Sequence, residues 1–253
     1  MSQSSPKPPS APSPPQPQRA PSQRQPMTGP RLAAAVTAWI ALSLLTGGAT
    51  MLLGSMLAPG LTANTLAVII VTEVYVLLIV SLLTASGGWS AAVEAFGLRI
   101  QPRNALMGVL VVGALSLATL LGYAVIGAWA PLADELVWVG RDGGRLGSLD
   151  PVTTAITLVR GTLLAAVGEE LLFRGALFGW PRARLPAWPT IVLTATLWTA
   201  MHAGLLVALP YVLIQGLGLG WLRERTGSVI PGIAFHALHN TVLFIAVFVL
   251  VGW

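Results

Sequence analysis

The sequence predicts an all-α protein, a polytopic bundle of about seven transmembrane helices. Of its 253 residues, 55% are hydrophobic and only 9% are charged, whereas roughly a quarter of the residues of a soluble domain carry a charge. The apolar residues form long runs, and a helix needs about 20 residues to cross the hydrocarbon core of a bilayer. These observations predict a multi-pass protein of the cell membrane, in contact with the lipid bilayer.

The chain begins with a proline-rich segment, residues 1–30, which we predict to be a disordered cytoplasmic tail. It holds ten of the 19 prolines, among Ser and Gln and without an acidic residue. A segment of this composition cannot bury a hydrophobic core.

Seven apolar segments follow the tail, each of them a predicted span. The first three make up an N-terminal transmembrane region over residues 31–152, and the last four make up a C-terminal core over residues 153–253. The predicted spans are 32–57, 64–86, 104–130, 153–179, 189–206, 208–222 and 229–251.

The distribution of basic residues predicts the orientation of the chain. Cytoplasmic loops of membrane proteins carry an excess of Lys and Arg. A cytoplasmic N-terminus and an external C-terminus place ten basic residues inside and only Arg141 and Arg145 outside. Arg160 lies in the fourth span, close enough to its outer end for the side chain to reach the interface. The ten inside are Lys7, Arg19, Arg24, Arg31, Arg99, Arg103, Arg182, Arg184, Arg223 and Arg225.

Two adjacent carboxylates lie inside the fourth predicted span. An ionisable side chain at this depth costs several kcal/mol and indicates a functional site. Glu170 and Arg174 are four residues apart, so they share a helix face and are predicted to form an ion pair. Glu169 points about 100° away from Glu170 and remains available for chemistry.

Three further polar side chains are predicted at a similar depth in other spans. A helix rises about 1.5 Å per residue, which places Glu169 roughly 15 Å above the cytoplasmic face, His202 roughly 20 Å, His236 roughly 10 Å and Asn240 roughly 16 Å. His236 and Asn240 share a face by their spacing, whereas His239 is expected to point elsewhere and to serve packing. The similar heights favour one intramembrane site.

A carboxylate, imidazoles and an amide suit the hydrolysis of a peptide bond without a covalent intermediate. Glu169 can accept a proton from water and His202 can orient that water. His236 and Asn240 can donate hydrogen bonds to the oxyanion of the tetrahedral intermediate. The alternative is a metal site, since His and Glu ligate zinc, although the chain has no H-E-x-x-H and lacks close ligand spacing.

Other features of the chain favour structural interpretations. The chain has no cysteine, which excludes disulfides, thiol catalysis and cysteine-ligated metals. The net charge of +5 does not indicate a nucleic-acid partner, because the basic residues are scattered over short loops. Glu73 is expected to form an interhelical hydrogen bond to a Thr or Tyr. The G-x-G-x-G at 216–220 is expected to permit close helix packing.

The motifs of the C-terminal region resemble those of the CPBP family of intramembrane glutamic endopeptidases, which includes the CAAX prenyl endopeptidases and the bacterial Abi proteins. The family pattern is E-E-x-x-x-R, then F-x-x-x-H, then H-x-x-x-N, and the resemblance covers roughly residues 161–251. Trp198 departs from it, because the family usually has Phe there, and we expect this exchange of aromatics to have little effect. The matching segments are E-E-L-L-F-R-G at 169–175, W-T-A-M-H at 198–202 and H-A-L-H-N at 236–240.

The resemblance implies a catalytic core of the CPBP type over residues 153–253. It implies that Glu169 and His202 activate the attacking water, that the H-x-x-x-N pair, His236 and Asn240, stabilises the oxyanion, and that the ion pair described above supports the site. It also implies a helical bundle with a conical intramembrane cavity, a membrane-associated peptide or protein substrate, and no cofactor, with zinc left open. The alternative function is a non-catalytic membrane scaffold or a bacteriocin-immunity-type protein of the same fold.

Overall fold

The protein is built from helices. The computed structural model describes residues 27–57, 63–99, 102–128, 131 and 151–251, and within these ranges the regular secondary structure is entirely helical. The first 26 residues of the proline-rich tail, and Arg141 and Arg145, lie outside the described residues. The helices are α1 (Gly29–Leu57), α2 (Ala63–Ala85), α3 (Trp89–Ala95), α4 (Pro102–Val125), α5 (Pro151–Arg182), α6 (Ala187–Ala200), α7 (Leu209–Thr226) and α8 (Ile230–Val251).

Three helices are long and apolar enough to cross a membrane, within the part of the chain that the structure describes. They are Gly29–Met56, Thr65–Ala85 and Ala105–Val125, and they correspond to the first three predicted spans. Large apolar side chains such as Leu44 and Leu106 are exposed on them, at 73% and 62%, as lipid contact requires. These helices indicate a multi-pass membrane protein, while the other four crossings stay a prediction.

The hairpin of α1 and α2 contains the predicted contact of Glu73. Thr50 of α1 donates a hydrogen bond of 2.7 Å from Oγ1 to Glu73 Oε1 of α2, so the prediction of an interhelical bond to a Thr or Tyr is confirmed. Trp39 Nε1 of α1 also donates, over 2.9 Å, to the Val74 carbonyl. Glu73 is thereby held between the two helices by a hydroxyl donor.

The residues of the fourth predicted span lie in α5, a continuous helix with two π-helical stretches. Arg160–Leu164 and Leu171–Leu177 are π-helical, and between them lies the α-helical Ala165–Glu170. The residues at each junction keep right-handed helical backbone angles, so the helix is not broken. Such π-helical turns re-aim side chains and are frequent at functional sites.

The glycines of the G-x-G-x-G segment pack α7 against its neighbours. A Cβ at Gly216 would lie 3.1 Å from the Ala195 Cβ of α6, and a Cβ at Gly218 would lie 3.3 Å from Val112 of α4. Larger residues at these positions would therefore push the helices apart. The predicted role in close packing is confirmed.

The helix found at the fifth predicted span is shorter than expected. Helix α6 has 14 residues and ends at Ala200, and the positions from 201 to 204 form turns. A helix of this length rises about 21 Å, less than the hydrocarbon thickness. His202 was predicted to lie within the helix, which is wrong. The apolar run continues beyond Ala200, so hydropathy alone could not show the helix end.

Candidate active site

The four side chains predicted to carry the chemistry line one cavity. This cavity, of about 380 Å³, lies between α2, α5, α7 and α8 and the turn after α6. The sequence separates these residues by up to 71 positions, and the fold brings them together. The predicted residues on the cavity wall are Glu169, His202, His236 and Asn240.

Glu169 projects from the α-helical segment of α5, and both of its carboxylate oxygens are hydrogen-bonded. The Tyr75 hydroxyl of α2 donates to Oε1 over 3.0 Å, and Trp198 Nε1 of α6 donates to Oε2 over 2.7 Å. A carboxylate oxygen can accept more than one hydrogen bond, so each oxygen can still accept a hydrogen bond from a water molecule. The side chain is thus held in place by two helices without being closed to solvent.

Sequence reasoning missed both of these donors. Trp198 was treated as a conservative replacement for Phe, but Phe has no N–H and could not bind Glu169. The residue type itself could have indicated this donor, because Trp has a ring N–H and Phe does not. Tyr75 had no comparable signal, because its position depends on how α2 packs on α5. Gly168 provides the room for this packing, since a Cβ there would lie 3.1 Å from Tyr75 Cδ1.

His202 lies in the turn directly after α6. Its Nδ1 is 2.9 Å from the backbone carbonyl of Trp198, and a carbonyl oxygen can only accept, so Nδ1 carries the proton. In the neutral ring the other nitrogen, Nε2, is therefore an acceptor. The ring packs edge-on against Trp198, with centroids 4.9 Å apart. One residue thus contacts both Glu169 and His202.

The predicted ion pair of α5 is confirmed. Arg174 Nη1 donates to Glu170 Oε1 over 2.9 Å, and the side chains are 1% and 0% exposed. Arg174 Nη2 donates to the Gly216 carbonyl over 3.2 Å, and the guanidinium lies 4.6 Å from the centroid of the Trp198 ring. The pair therefore joins α5 to α6 and α7 behind the cavity.

His236 of α8 contacts the same buried carboxylate. Its Nδ1 lies 3.3 Å from Glu170 Oε1, and because a carboxylate accepts, Nδ1 is the donor. A Cβ at Gly232 would approach Glu170 Oε2 to 2.8 Å, so the glycine permits α8 to pack this closely. The other ring nitrogen of His236 is left for a ligand in the cavity.

Asn240 lies one turn beyond His236 on α8. Its Nδ2 donates 2.9 Å to the carbonyl of Gly161, a residue of the first π-helical stretch. A Cβ at Gly161 would lie 2.8 Å from the Phe244 ring, so this contact between the helices also depends on a glycine. An amide NH₂ has two donors, and one of them remains for the cavity.

The prediction that His239 points away from the site is wrong. Its ring lines the same cavity, because residues three apart in a helix share a face just as residues four apart do. The predicted packing role agrees with the structure, since the His239 ring stacks on Phe235 with centroids 5.9 Å apart. The Tyr211 hydroxyl lies 3.1 Å from Nε2.

The grouping of possible metal ligands bears on the zinc alternative. Among the residues that the structure describes, no three His, Cys, Asp or Glu side chains are grouped as a metal ion would require. The carboxylate of Glu169 faces the hydrogen-bond donors of Tyr75 and Trp198 instead.

Fold and site together define a helical, multi-pass membrane protein with a carboxylate, imidazoles and an amide around one cavity. Residues 151–242 match the family described as Type II CAAX prenyl endopeptidase Rce1-like. The chain therefore carries a domain of this family, the CPBP/Abi family, over those residues, and the resemblance predicted from the motifs is confirmed. No curated protein and no solved structure matches the chain.

Proposed function

We propose that this protein is an intramembrane endopeptidase that hydrolyses a peptide bond with a water molecule activated by Glu169 and His202. The observation that carries the proposal is the single cavity shared by Glu169, His202, His236 and Asn240. The family domain over residues 151–242 adds support, because its name denotes endopeptidases of prenylated CAAX substrates. The corresponding substrate for this chain is a membrane-associated peptide or protein.

In this mechanism, Glu169 is the general base. A water held between its carboxylate and His202 Nε2 loses a proton to Glu169 as its oxygen attacks the carbonyl carbon of the substrate. The hydrogen bonds from Tyr75 and Trp198 fix the direction of the carboxylate, and a fixed base reduces the entropy lost on reaching the transition state. The proton then passes to the leaving amine.

The oxyanion of the tetrahedral intermediate would be stabilised by His236 and Asn240. The remaining amide proton of Asn240 can donate directly. His236 can donate from Nε2 when both ring nitrogens carry protons, while Glu170 accepts from Nδ1 and holds the ring in place. Glu170 and Arg174 then act as positioning residues.

The arrangement in the membrane is part of the same proposal. We infer seven crossings with a cytoplasmic N-terminus and an external C-terminus, and a division into a tail (1–30), an N-terminal region (31–152) and a catalytic core (153–253). The excess of basic residues in the inner loops supports the orientation. Because Tyr75 belongs to α2, the N-terminal region would also contribute to the site.

Trp198→Phe is expected to lower kcat by about tenfold with little change in KM. The substitution keeps the aromatic ring but removes the N–H that binds Glu169, and a hydrogen bond to a charged group contributes about 1.5–3 kcal/mol. Tyr75→Phe should have a similar effect, because it removes the other donor. Steady-state kinetics of the purified variants would measure both.

The matched control for this experiment is Trp39→Phe. Trp39 also uses its Nε1 as a donor, over 2.9 Å to Val74 O, but it does not line the cavity. We expect it to keep the kcat of the wild type even if stability falls. Unchanged kcat in both Trp198→Phe and Tyr75→Phe would show that neither donor positions the base.

Hydrolysis without metal is tested by chelation of the active protein. Purified wild type, incubated with a peptide library, should yield cleaved products detectable by mass spectrometry, and a strong chelator should leave the rate unchanged. If Glu169, His202 and His236 instead ligated zinc, the rate would fall with chelation and return on adding zinc. Wild-type protein that cleaves no peptide would favour the non-catalytic scaffold.

A further inference from the structure

The cavity wall carries polar side chains that belong to none of the three family motifs and have no role in the proposed hydrolysis. They are Arg160, Tyr211, Gln215 and His239. Arg160 was expected to reach the membrane interface but lies on this wall, because depth along a helix does not indicate which way a side chain points. Gln215 lies within α7 and is 3% exposed, so the partners of its amide can be counted.

A hydrogen bond to α4 fixes the direction of the Gln215 amide. Ser116 Oγ of α4 donates over 2.7 Å to the carbonyl of Val112, which can only accept. The Ser116 oxygen is therefore free to accept, and Gln215 Nε2 donates to it. With the amide reversed, two acceptors would face each other at this contact. The amide nitrogen is thus directed toward α4.

A second hydrogen bond of the same amide lies within α7. Tyr211, one helical turn before Gln215, hydrogen-bonds with the Gln215 side chain. Because Oε1 has no hydrogen-bond partner among the described residues, Nε2 makes this contact as well. The Tyr211 hydroxyl in turn lies 3.1 Å from His239 Nε2 of α8. Both protons of the amide nitrogen are engaged in this way, and only the oxygen remains for a ligand.

Gln215 Oε1 is therefore a buried acceptor that lacks a donor. Leaving such a group unpaired is unfavourable, and a ligand that enters the cavity with an N–H or O–H group would remove that cost. The residues that share its helix face on the cavity wall, Val212 and Leu219, have apolar side chains and offer no donor. The site therefore requires a hydrogen-bond donor and has no affinity for an anion.

The segment that carries this acceptor is packed against the machinery around Glu169. A Cβ at Gly216 would lie 3.1 Å from Trp198 Cε3, and the Gly216 carbonyl accepts from Arg174 Nη2 over 3.2 Å. Gln215 is the next residue along the chain, so its position relative to the reacting groups is fixed by the same contacts. A ligand held by Oε1 would be held in register with them.

We propose that Gln215 is a substrate-binding residue whose Oε1 accepts a hydrogen bond from one backbone N–H of the bound peptide. The inference rests on the proposed function for its ligand, because a peptide carries such a donor at every residue except proline. A contact to the backbone does not select a side chain. It fixes which residue of the peptide lies at the reacting groups, and it disfavours proline at one position.

The test removes the backbone donors of a peptide one at a time. A library of hexapeptides, acetylated and amidated at their ends, is selected for binding to full-length Glu169→Gln protein in phosphatidylcholine nanodiscs, so that no peptide is cleaved. The tightest binder is then synthesised with an ester oxygen in place of each N–H in turn, and thermophoresis gives each Kd. At one position the ester should bind at least about fivefold more weakly, as expected for one lost hydrogen bond.

Gln215→Met, in the same Glu169→Gln background, should bring that ratio of ester to amide close to one. Methionine has nearly the same shape but lacks the amide oxygen. Gln215→Glu keeps an oxygen acceptor and should retain the discrimination. Loss of the discrimination in Gln215→Glu as well would assign the side chain to packing alone and contradict the proposal.

Tyr123→Phe is the matched control. The Tyr123 hydroxyl of α4 also forms a hydrogen bond at α7, over 2.7 Å to the carbonyl of Val207 in the preceding turn, but Tyr123 does not line the cavity. Its variant should keep the position-specific loss even where the melting temperature falls. Loss of the discrimination in this control would show that any weakening of the contact between α4 and α7 is sufficient, against a direct contact of Gln215 with the peptide.

Three further results would overturn the proposal. They are a library from which no peptide is retained, a scan without any sensitive position, and a sensitive position that persists unchanged in Gln215→Met. The second result would leave water as the partner of Oε1. Cleavage by wild-type protein is measured separately. Cleavage without a position that depends on Gln215 would therefore reject this residue alone, whereas such a position without cleavage would reject the endopeptidase alone.

Discussion

Glu169→Gln should abolish peptide hydrolysis, with a loss in kcat of at least about a hundredfold, the lower end of the contribution of a general base. The amide cannot accept a proton from water. It also has one oxygen for the two donors, Tyr75 and Trp198, that now bind the carboxylate, so the second donor faces an N–H. Cleavage rates of purified protein in vesicles would show the loss.

Glu73→Gln is the control for this substitution. Glu73 is also a carboxylate within an apolar helix, but it binds Thr50 and does not line the cavity, so its variant should keep the wild-type rate. The melting temperature of Glu169→Gln should be measured in parallel to establish that the protein is folded. A folded Glu169→Gln protein that cleaves at the wild-type rate would refute the assignment of the general base.

Arg174→Ala is expected to destabilise the protein by about 3–5 kcal/mol, because it leaves Glu170 buried and without its ion pair. The substitution also removes the bond to the Gly216 carbonyl and the contact with the face of Trp198. For a chain of this size, such a loss corresponds to a fall in melting temperature of roughly 10 °C. Thermal unfolding in detergent would measure it, and Glu170→Ala should behave similarly.

The surface pair of Arg182 and Glu224 is the control for this effect. Its geometry is equally good, with 2.9 Å between Nε and Oε2, but Arg182 is 41% exposed. Exposed pairs contribute about 0–1 kcal/mol, so Arg182→Ala should hardly change the melting temperature. Combining Glu170→Gln with Arg174→Met should recover part of the stability lost in Arg174→Ala, since no buried charge is then left alone. Equal melting of all these variants would contradict a stabilising buried pair.

Much of the architecture follows from local sequence patterns. Hydropathy and length predicted the helices that became α1, α2 and α4, since burial in lipid requires long apolar runs. The spacing of four residues predicted the pair of Glu170 and Arg174, because it depends only on the helical repeat. The end of α6 was not predicted, since the turn around His202 interrupts the helix without interrupting the apolar run.

The sequence by itself determined the all-helical class, the family domain and the identity of the chemical groups, because these depend on residue type and on spacing along one helix. Only the tertiary structure decided which groups meet. Tyr75 and Glu169 are 94 positions apart, and Arg160 and His239 enter the cavity by the rotation of α5 and α8. These contacts arise from packing between helices, at glycines such as Gly168 and Gly161 that permit close approach, and no periodicity within one helix contains that information.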